Sequence, residues 1–262
     1  MAEDTIIRRI VRFDETDSTN TRAAEAAEKG EPSGTLFTAQ LQTAGKGRRG
    51  RSWVVKKGTA ITMSLLLRPT FAAEKASQLT LLAAMAIAES VQMILREQCS
   101  DSAPVCLIKW PNDCLIGSRK ICGILTEMHS HPDGSYYVII GIGINVNTME
   151  FPPELADRAT SLALATGKIF DRERIVDLFG RSFFKYYRAY EQKNDLSDII
   201  GDYDRMLVNR GRKVRIEGTQ EKLTGTALGI NKDGELLVRT QDGNIRAVRS
   251  GEVSVRGIYG YV

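Results

Sequence analysis

Histidine and cysteine are scarce in this 262-residue chain, with two of the first and four of the second. His129 and His131 stand beside an HPDG turn, which reads as an exposed hairpin end rather than a metal centre. Cys99, Cys106, Cys114 and Cys122 fall within helix or strand patterns and form no Cys-x-x-Cys pair, which argues against a disulfide framework or a thiolate zinc site and fits a reducing cytoplasm. Long apolar runs are missing too: the longest in the main helical segment is LLAAMAIA, too short for a bilayer. The N-terminal MAEDTIIRRIVRF lacks the order of a secretory signal. A soluble protein with no membrane partner is expected. Net charge is only +4, too little to coat nucleic acid, so an anionic partner must be met locally.

The hydrophobic content, 42%, and the length suffice for one large domain and a smaller one. IIRRIVRF reads as a strand. DSTNTRAAEAAEKG follows as an alanine-rich helix that Ser18 or Thr19 can cap and Gly30 ends. TLFTAQ and TAITMSLLL are strands on either side of a basic, glycine-rich loop, and Glu74 to Cys99 keeps helical spacing. VCLIKW, CLIG, KICGILTEM and SYYVIIGIGINVN are short strands in hairpin order, followed by two helices in RERIVDLFGRSFFKYYRAYEQ and LSDIIGDYDRML. Past Asn209 only short strands and Gly-containing turns remain, so a small barrel is expected there, giving units 1–208 and 209–262.

Three stretches bear on chemistry. AGKGRRGRSW, residues 44–53, gathers Lys46, Arg48, Arg49 and Arg51 among three glycines; it suits an anion, although a solvated turn has the same composition, and it is not a Walker A loop. In KWPNDCLIGSRKICGIL, Pro111 ends a strand and puts Asn112 and Asp113 in a bend close to Lys109, with Lys120 opening the returning strand. In GIGINVN, Gly141, Gly143 and Asn145 share one strand face and three aliphatic residues share the other. The bare face is either a slot for a flat ligand or a seat for a closely packed helix.

In chain order, DSTN, QTAGKGRRGRSW, KWPNDCLIGSRKICGIL, GIGIN and a C-terminal barrel resemble the biotin protein ligases over nearly the whole chain. The resemblance implies an α/β (α+β) catalytic domain related to class II aminoacyl-tRNA synthetases and lipoate ligases. That domain has a mixed sheet with flanking helices, followed by a barrel similar to Src-homology-3 domains. It implies formation of biotinyl-5′-AMP from biotin and MgATP, then transfer of biotin to one lysine of a biotin carboxyl carrier protein. By resemblance Arg48, Lys109 and Lys120 meet the carboxylate and phosphate oxygens, and Asp113 serves the acceptor amine. Ser18, Thr19, Asn20 and Gln42 hold biotin, with Gly45, Lys46, Arg48, Trp53 and Lys120 closing over it. Arg48, Arg49, Arg51, Asn112, Lys120, Gly141, Gly143 and Asn145 border the adenylate, and no metal is held by protein ligands.

The family usually has arginine where Lys46 stands, so a planar fork becomes a point donor and only contacts made by the backbone carry over unchanged. Only 16 residues precede the first motif, so no repressor activity and no DNA partner are expected; a homodimer is among the assemblies the resemblance allows. The basic loop is expected to be a mobile lid, its like charges repelling and its glycines favouring an open ensemble until the adenylate forms. Lipoate in place of biotin is the nearest competing reading. A nucleic-acid-binding module built on the basic loop and RGRKVR (residues 210–215) is the competitor from another class.

Overall fold

In the computed structural model of the protein, which describes residues 4–99, 103–218, 222–250 and 254–257, the chain forms two sheets. The first contains β1 (Arg9–Thr16), β2 (Thr35–Gln42), β3 (Ala60–Leu67), β4 (Cys106–Lys109), β5 (Asp113–Ile116), β6 (Arg119–Ser130) and β7 (Tyr136–Asn145), in the order β1-β2-β3-β7-β6-β5-β4. Helix α1 (Thr19–Glu28) carries the chain back between β1 and β2, which therefore run parallel. Every other neighbouring pair is antiparallel.

Strand alternation divides this sheet into two unlike faces. Met63, Leu65, Cys122, Ile124, Ile140, Ile142 and Ile144 point into one core with helix α2 (Leu79–Cys99), whose Leu82, Ala83, Ala86, Ile87 and Val91 are fully buried. The helix expected from Glu74 begins later, because Ala73–Gln78 is a 3-10 turn leading into it. Among the described residues Ala73–Cys99 is the one helical stretch long and apolar enough to cross a membrane, and 83% of its apolar window is buried in this core. Short helices α3 (Pro153–Ala156) and α4 (Leu162–Thr166), which the sequence pattern did not announce, line the chain after β7. Helix α5 (Arg172–Lys193) lays Ile175, Phe179, Phe183 and Tyr187 into the core, and α6 (Ile200–Met206) adds Tyr203.

On the opposite face α1 covers one end only, packing Ala23 and Ala27 with Phe37, Leu66 and Ile139. Across β3, β7 and β6 that face carries Thr62, Ser64, Gly123, Gly141, Gly143 and Asn145, small or polar residues with Leu125 as the aliphatic exception.

The second sheet is antiparallel, β11-β10-β9-β8-β12, built from β8 (Lys213–Glu217), β9 (Lys222–Ile230), β10 (Leu236–Arg239), β11 (Ile245–Val248) and β12 (Ser254–Gly257). Its Val214, Ile216, Ala227 and Leu236 join the main core. Trp110, only 1% exposed, is the junction: its backbone N–H donates to Asn209 Oδ1 at 3.1 Å and its indole N–H to the Gly234 carbonyl at 3.0 Å. Both polar ends of a large apolar anchor are thus satisfied inside the core. His129 and His131 stand at the turn end of the β6–β7 hairpin, as expected, both half-buried, with His129 stacked on Tyr137 at 4.8 Å and His131 in the turn itself.

Candidate active site

A cavity of about 450 Å³ opens between the basic loop, the β4–β5 bend, β6, the 151–159 segment and β12. Among the described residues Arg48, Arg49, Arg51, Lys109, Lys120, Arg158 and Arg256 line it, and Asp113 is the one lining carboxylate. The hairpin pairings explain why residues distant in sequence meet: Lys109 pairs with Asp113 across β4 and β5, and a register shift after Cys114 sets Lys120 opposite Leu115. Lys120 Nζ then reaches Asp113 Oδ1 at 2.6 Å. The Lys120 backbone also clamps the far wall, receiving the Thr160 N–H at 2.9 Å and donating to the Arg158 carbonyl at 2.8 Å.

Among the described residues, seven basic side chains around one carboxylate make a strongly positive site. Lys109 is 5% exposed, and its burial, helped by the nearby charges of Arg256, Lys120 and Arg51 and opposed by Asp113, pushes its ammonium down to about 7. Burial likewise lowers Arg48 from the ordinary guanidinium range, again opposed by Asp113. Both shifts mean that a bound anion would be rewarded, because it supplies the charge that water supplied before.

The basic loop is folded down over this cavity. A bridge pairs Lys46 with Ser52, the Gly47 N–H donates to the Arg51 carbonyl at 2.7 Å, and Arg49 and Gly50 take positive φ at the tip. Arg48 reaches back into the molecule, donating from Nη1 to Asn112 Oδ1 and from Nη2 to the Ser250 carbonyl, both at 2.7 Å. Asn112 is itself pinned by its Nδ2 donating to the Ile124 carbonyl at 3.0 Å. The Lys46 side chain is exposed, so its place in the loop is held by backbone pairing, the kind of contact that survives replacement of arginine. At the loop base Gly45 accepts the Trp53 N–H at 2.8 Å, and a Cβ there would meet the Trp53 carbonyl oxygen at 2.3 Å.

Trp53 lies on the bare strand face. A Cβ on Gly143 would fall 2.2 Å from its indole Cε2, and one on Gly123, the cross-strand partner of Gly143, 3.2 Å from Cζ3. Lys120 Nζ sits 5.7 Å from the indole centroid, a cation–π contact, while the buried indole N–H has no hydrogen-bond partner among the described residues. Asn145, 4% exposed, continues the same face into the cavity and donates to the Thr160 carbonyl at 3.2 Å.

Gly141 lies apart from the cavity, beneath Asn20, whose Oδ1 would be 2.1 Å from a Cβ at that position. Here the helix-packing reading of the bare face applies, since Asn20 belongs to α1. Ser18 occupies the N-cap position of α1 without a side-chain capping bond, contrary to the capping expected of it, so its buried hydroxyl is not used by the helix. Thr19 donates from N and Oγ1 to Gln42 Oε1 at 2.7 and 3.0 Å. Ser64 and Glu127, absent from the sequence reading, complete this cluster: Ser64 Oγ is 2.7 Å from Thr19 Oγ1 and 2.5 Å from Asn20 Oδ1, and Asn20 Nδ2 donates to Glu127 Oε2 at 2.6 Å. Along β7 the polar cluster, the Trp53 indole and the cationic cavity therefore follow one another at Gly141, Gly143 and Asn145. Phe151, Leu155, Arg158 and Arg256 also line the cavity and were not foreseen.

Residues 13–145 match the biotin/lipoate A/B protein ligase family and residues 211–256 the biotin protein ligase C-terminal domain. The bifunctional ligase/repressor BirA of Bacillus spizizenii is 39% identical over 248 residues, 94% of this chain and 74% of that one. The biotin–[acetyl-CoA-carboxylase] ligase of Paracoccus denitrificans is 30% identical, covering 92% of this chain and 98% of that one. The biotin protein ligase of Aquifex aeolicus, solved in complex with biotin and ATP, superposes with a TM-score of 0.83 at 31% identity over 96% of this chain and all of that one. With both matched regions lying in the two sheets described above, the chain belongs to the biotin/lipoate A/B protein ligase family.

Proposed function

We propose that this protein is a biotin protein ligase that joins biotin to ATP, releasing pyrophosphate, and passes the biotinyl group from the adenylate to a lysine of a biotin carboxyl carrier domain. The observation that carries the reading is the convergence of Arg48, Lys109 and Lys120 on one cavity at the end of a strand face whose other end holds the uncharged side chains of Thr19, Asn20 and Gln42. Biotin is a neutral cyclic urea at one end and a carboxylate at the other, and the strip along β7 has that polarity. The neutral cluster of Ser18, Thr19, Asn20 and Gln42 takes the urea, Trp53 and Gly143 take the apolar tail, and the cations take the carboxylate. The apolar side of the cavity, Val54, Phe151 and Leu155, suits the adenine ring.

In the first step a carboxylate oxygen attacks the α-phosphorus and the bond to pyrophosphate breaks. Two anions must meet, and cations held in a partly closed site offset that repulsion more strongly than they would in water. Arg48 and Lys120 face the carboxylate and α-phosphate oxygens. Lys109 gains its proton as the phosphates enter, and Arg49, Arg51 and Arg256 hold the departing pyrophosphate. Magnesium arrives with the nucleotide as MgATP.

In the second step the acceptor amine attacks the acyl carbon and AMP leaves. The amine attacks only when neutral, and Asp113 receives its proton. Because Asp113 starts paired with Lys120, it becomes available when Lys120 turns to the phosphoryl oxygens. Residues 1–208 would thus carry the chemistry, and residues 209–262 would contribute Arg256 and the Ser250 carbonyl that tethers Arg48. The reading places the reaction in the cytoplasm, on a soluble carboxylase acceptor, and without DNA. Arg48 of its basic loop is turned inward, and Arg210 and Arg215 are engaged by the Leu228 carbonyl and Glu217.

Incubation of the protein with ATP, an apo carrier domain and either labelled biotin or labelled lipoate tests this function. Transfer of biotin alone is expected; transfer of lipoate in preference to biotin would overturn it.

A further inference from the structure

Glu127 lies on β6, behind Asn20 and away from the cavity, in a cluster whose hydrogen atoms can be counted. An ionised carboxylate only accepts, so the Asn20 amide must turn its NH₂ toward Glu127, and its Oδ1 is left as an acceptor facing Ser64. The single Ser64 proton is then spent on Asn20. Thr19 has one hydroxyl proton and two oxygens in reach, Ser64 Oγ at 2.7 Å and Gln42 Oε1 at 3.0 Å; Gln42 Oε1 already accepts the Thr19 backbone N–H at 2.7 Å, so whichever way the hydroxyl turns, Thr19 Oγ1 itself accepts no proton. Three oxygen–oxygen contacts therefore share two hydroxyl protons, in a place where Thr19, Asn20 and Ser64 are all at least 95% buried. The cluster is one donor short.

We infer that Glu127 is a positioning residue that sets the hydrogen-bond polarity of the ureido end of the site, working through Asn20 and Ser64 so that the Thr19–Gln42 end lacks a donor that a ligand N–H supplies. The inference rests on the biotin reading above and goes beyond it by giving a role to a residue that need not touch the substrate. Reversing the polarity shows what the carboxylate does. With an amide at position 127, its NH₂ can donate to Asn20 Oδ1, Asn20 turns its own NH₂ to Ser64, Ser64 donates to Thr19, and Thr19 donates to Gln42. All three contacts are then satisfied without a ligand, and the incoming N–H meets only oxygens that each already accept a proton, so it gains less than in the unsubstituted cluster.

The test measures binding of labelled biotin by equilibrium dialysis, with thermal unfolding of the same samples. Glu127→Gln is expected to weaken biotin binding about tenfold, the worth of one net hydrogen bond, while its Tm stays equal to or rises above that of the unsubstituted protein. The double substitution Asn20→Asp with Glu127→Gln exchanges amide and carboxylate. The amide at 127 donates to the carboxylate at 20, Ser64 again spends its proton there, and binding recovers at least about threefold relative to Glu127→Gln alone. Unchanged biotin affinity in Glu127→Gln, or equal loss in the single and double variants, overturns the inference. A fall in Tm that tracks the loss of binding overturns it as well, because that marks a structural role. If the unsubstituted protein binds no biotin, the substrate reading itself fails, an outcome distinct from all of these.

Discussion

Lys120 Nζ stands 2.6 Å from Asp113 Oδ1 and 5.7 Å from the centroid of the Trp53 indole, so one ammonium joins the carboxylate of the β4–β5 bend to the ring that covers the bare strand face. These three side chains come from three separate motifs. Their meeting ties the basic loop, the bend and the glycine strand into one apparatus, and the consequences can be measured singly.

Arg48 fastens the loop to Asn112 and to the Ser250 carbonyl. Arg48→Gly removes both ties and one cation, so the first half-reaction should slow about a hundredfold and the adenylate should escape before transfer. Promiscuous biotin labelling of bystander lysines is the expected sign. A variant that labels only the carrier lysine would contradict the role.

The folded loop predicts its own protection. Its tip, Arg49 and Gly50, stands at positive φ, and ligand charge should neutralise the cations that otherwise repel one another. Limited tryptic cleavage at Arg48–Arg51 should slow markedly with biotin plus ATP. Equal cleavage with and without ligands would count against a closing lid.

Lys109 gives a proton-linked signature. With its ammonium pushed down to about 7, it is mostly neutral in the free protein at pH 8. Phosphates favour the charged form, so ATP binding at pH 8 should draw up to about one proton from solution, and affinity should weaken as pH rises above about 7. Calorimetry in buffers of different ionisation enthalpy reads that uptake directly. Lys109→Met should abolish it, and uptake that persists in this variant would place the proton elsewhere.

Gly143→Ala sets a methyl group 2.2 Å from the Trp53 ring. The strand is buried and well paired, so the protein should still fold, but the displaced indole and the raised floor should cost about a hundredfold in biotin activation through misplacement of the tail. Pyrophosphate exchange and thermal unfolding, measured together, separate this from general damage.

Much of this arrangement is legible in the amino-acid sequence. The strand succession from Thr35 to Asn145, the segregation of Gly141, Gly143 and Asn145 from the isoleucines, and the bend at Asn112–Asp113 follow from period-two alternation and turn chemistry. Ser64 was hidden because a lone hydroxyl in MSLLL looks like noise in an apolar strand; its signal is that it falls on the face of Gly141, its cross-strand partner. Glu127 was hidden likewise, two residues past Leu125 on the face of Gly123. Arg158 and Arg256 could not be found from spacing at all, since the wall they form depends on how the 146–161 segment and the second sheet dock, which is tertiary information. Ser18 shows the converse: the residue type announced a cap, and the fold left its side chain out of the capping bond.

The central claim is that cations from separate segments converge so that a carboxylate can attack an α-phosphate. Exchange of labelled pyrophosphate into ATP, in the absence of any acceptor protein, reports that step alone. The account predicts exchange that requires biotin, is not supported by lipoate, and falls about a hundredfold in Lys120→Met. Exchange that proceeds without biotin, or that is indifferent to Lys120, would contradict it.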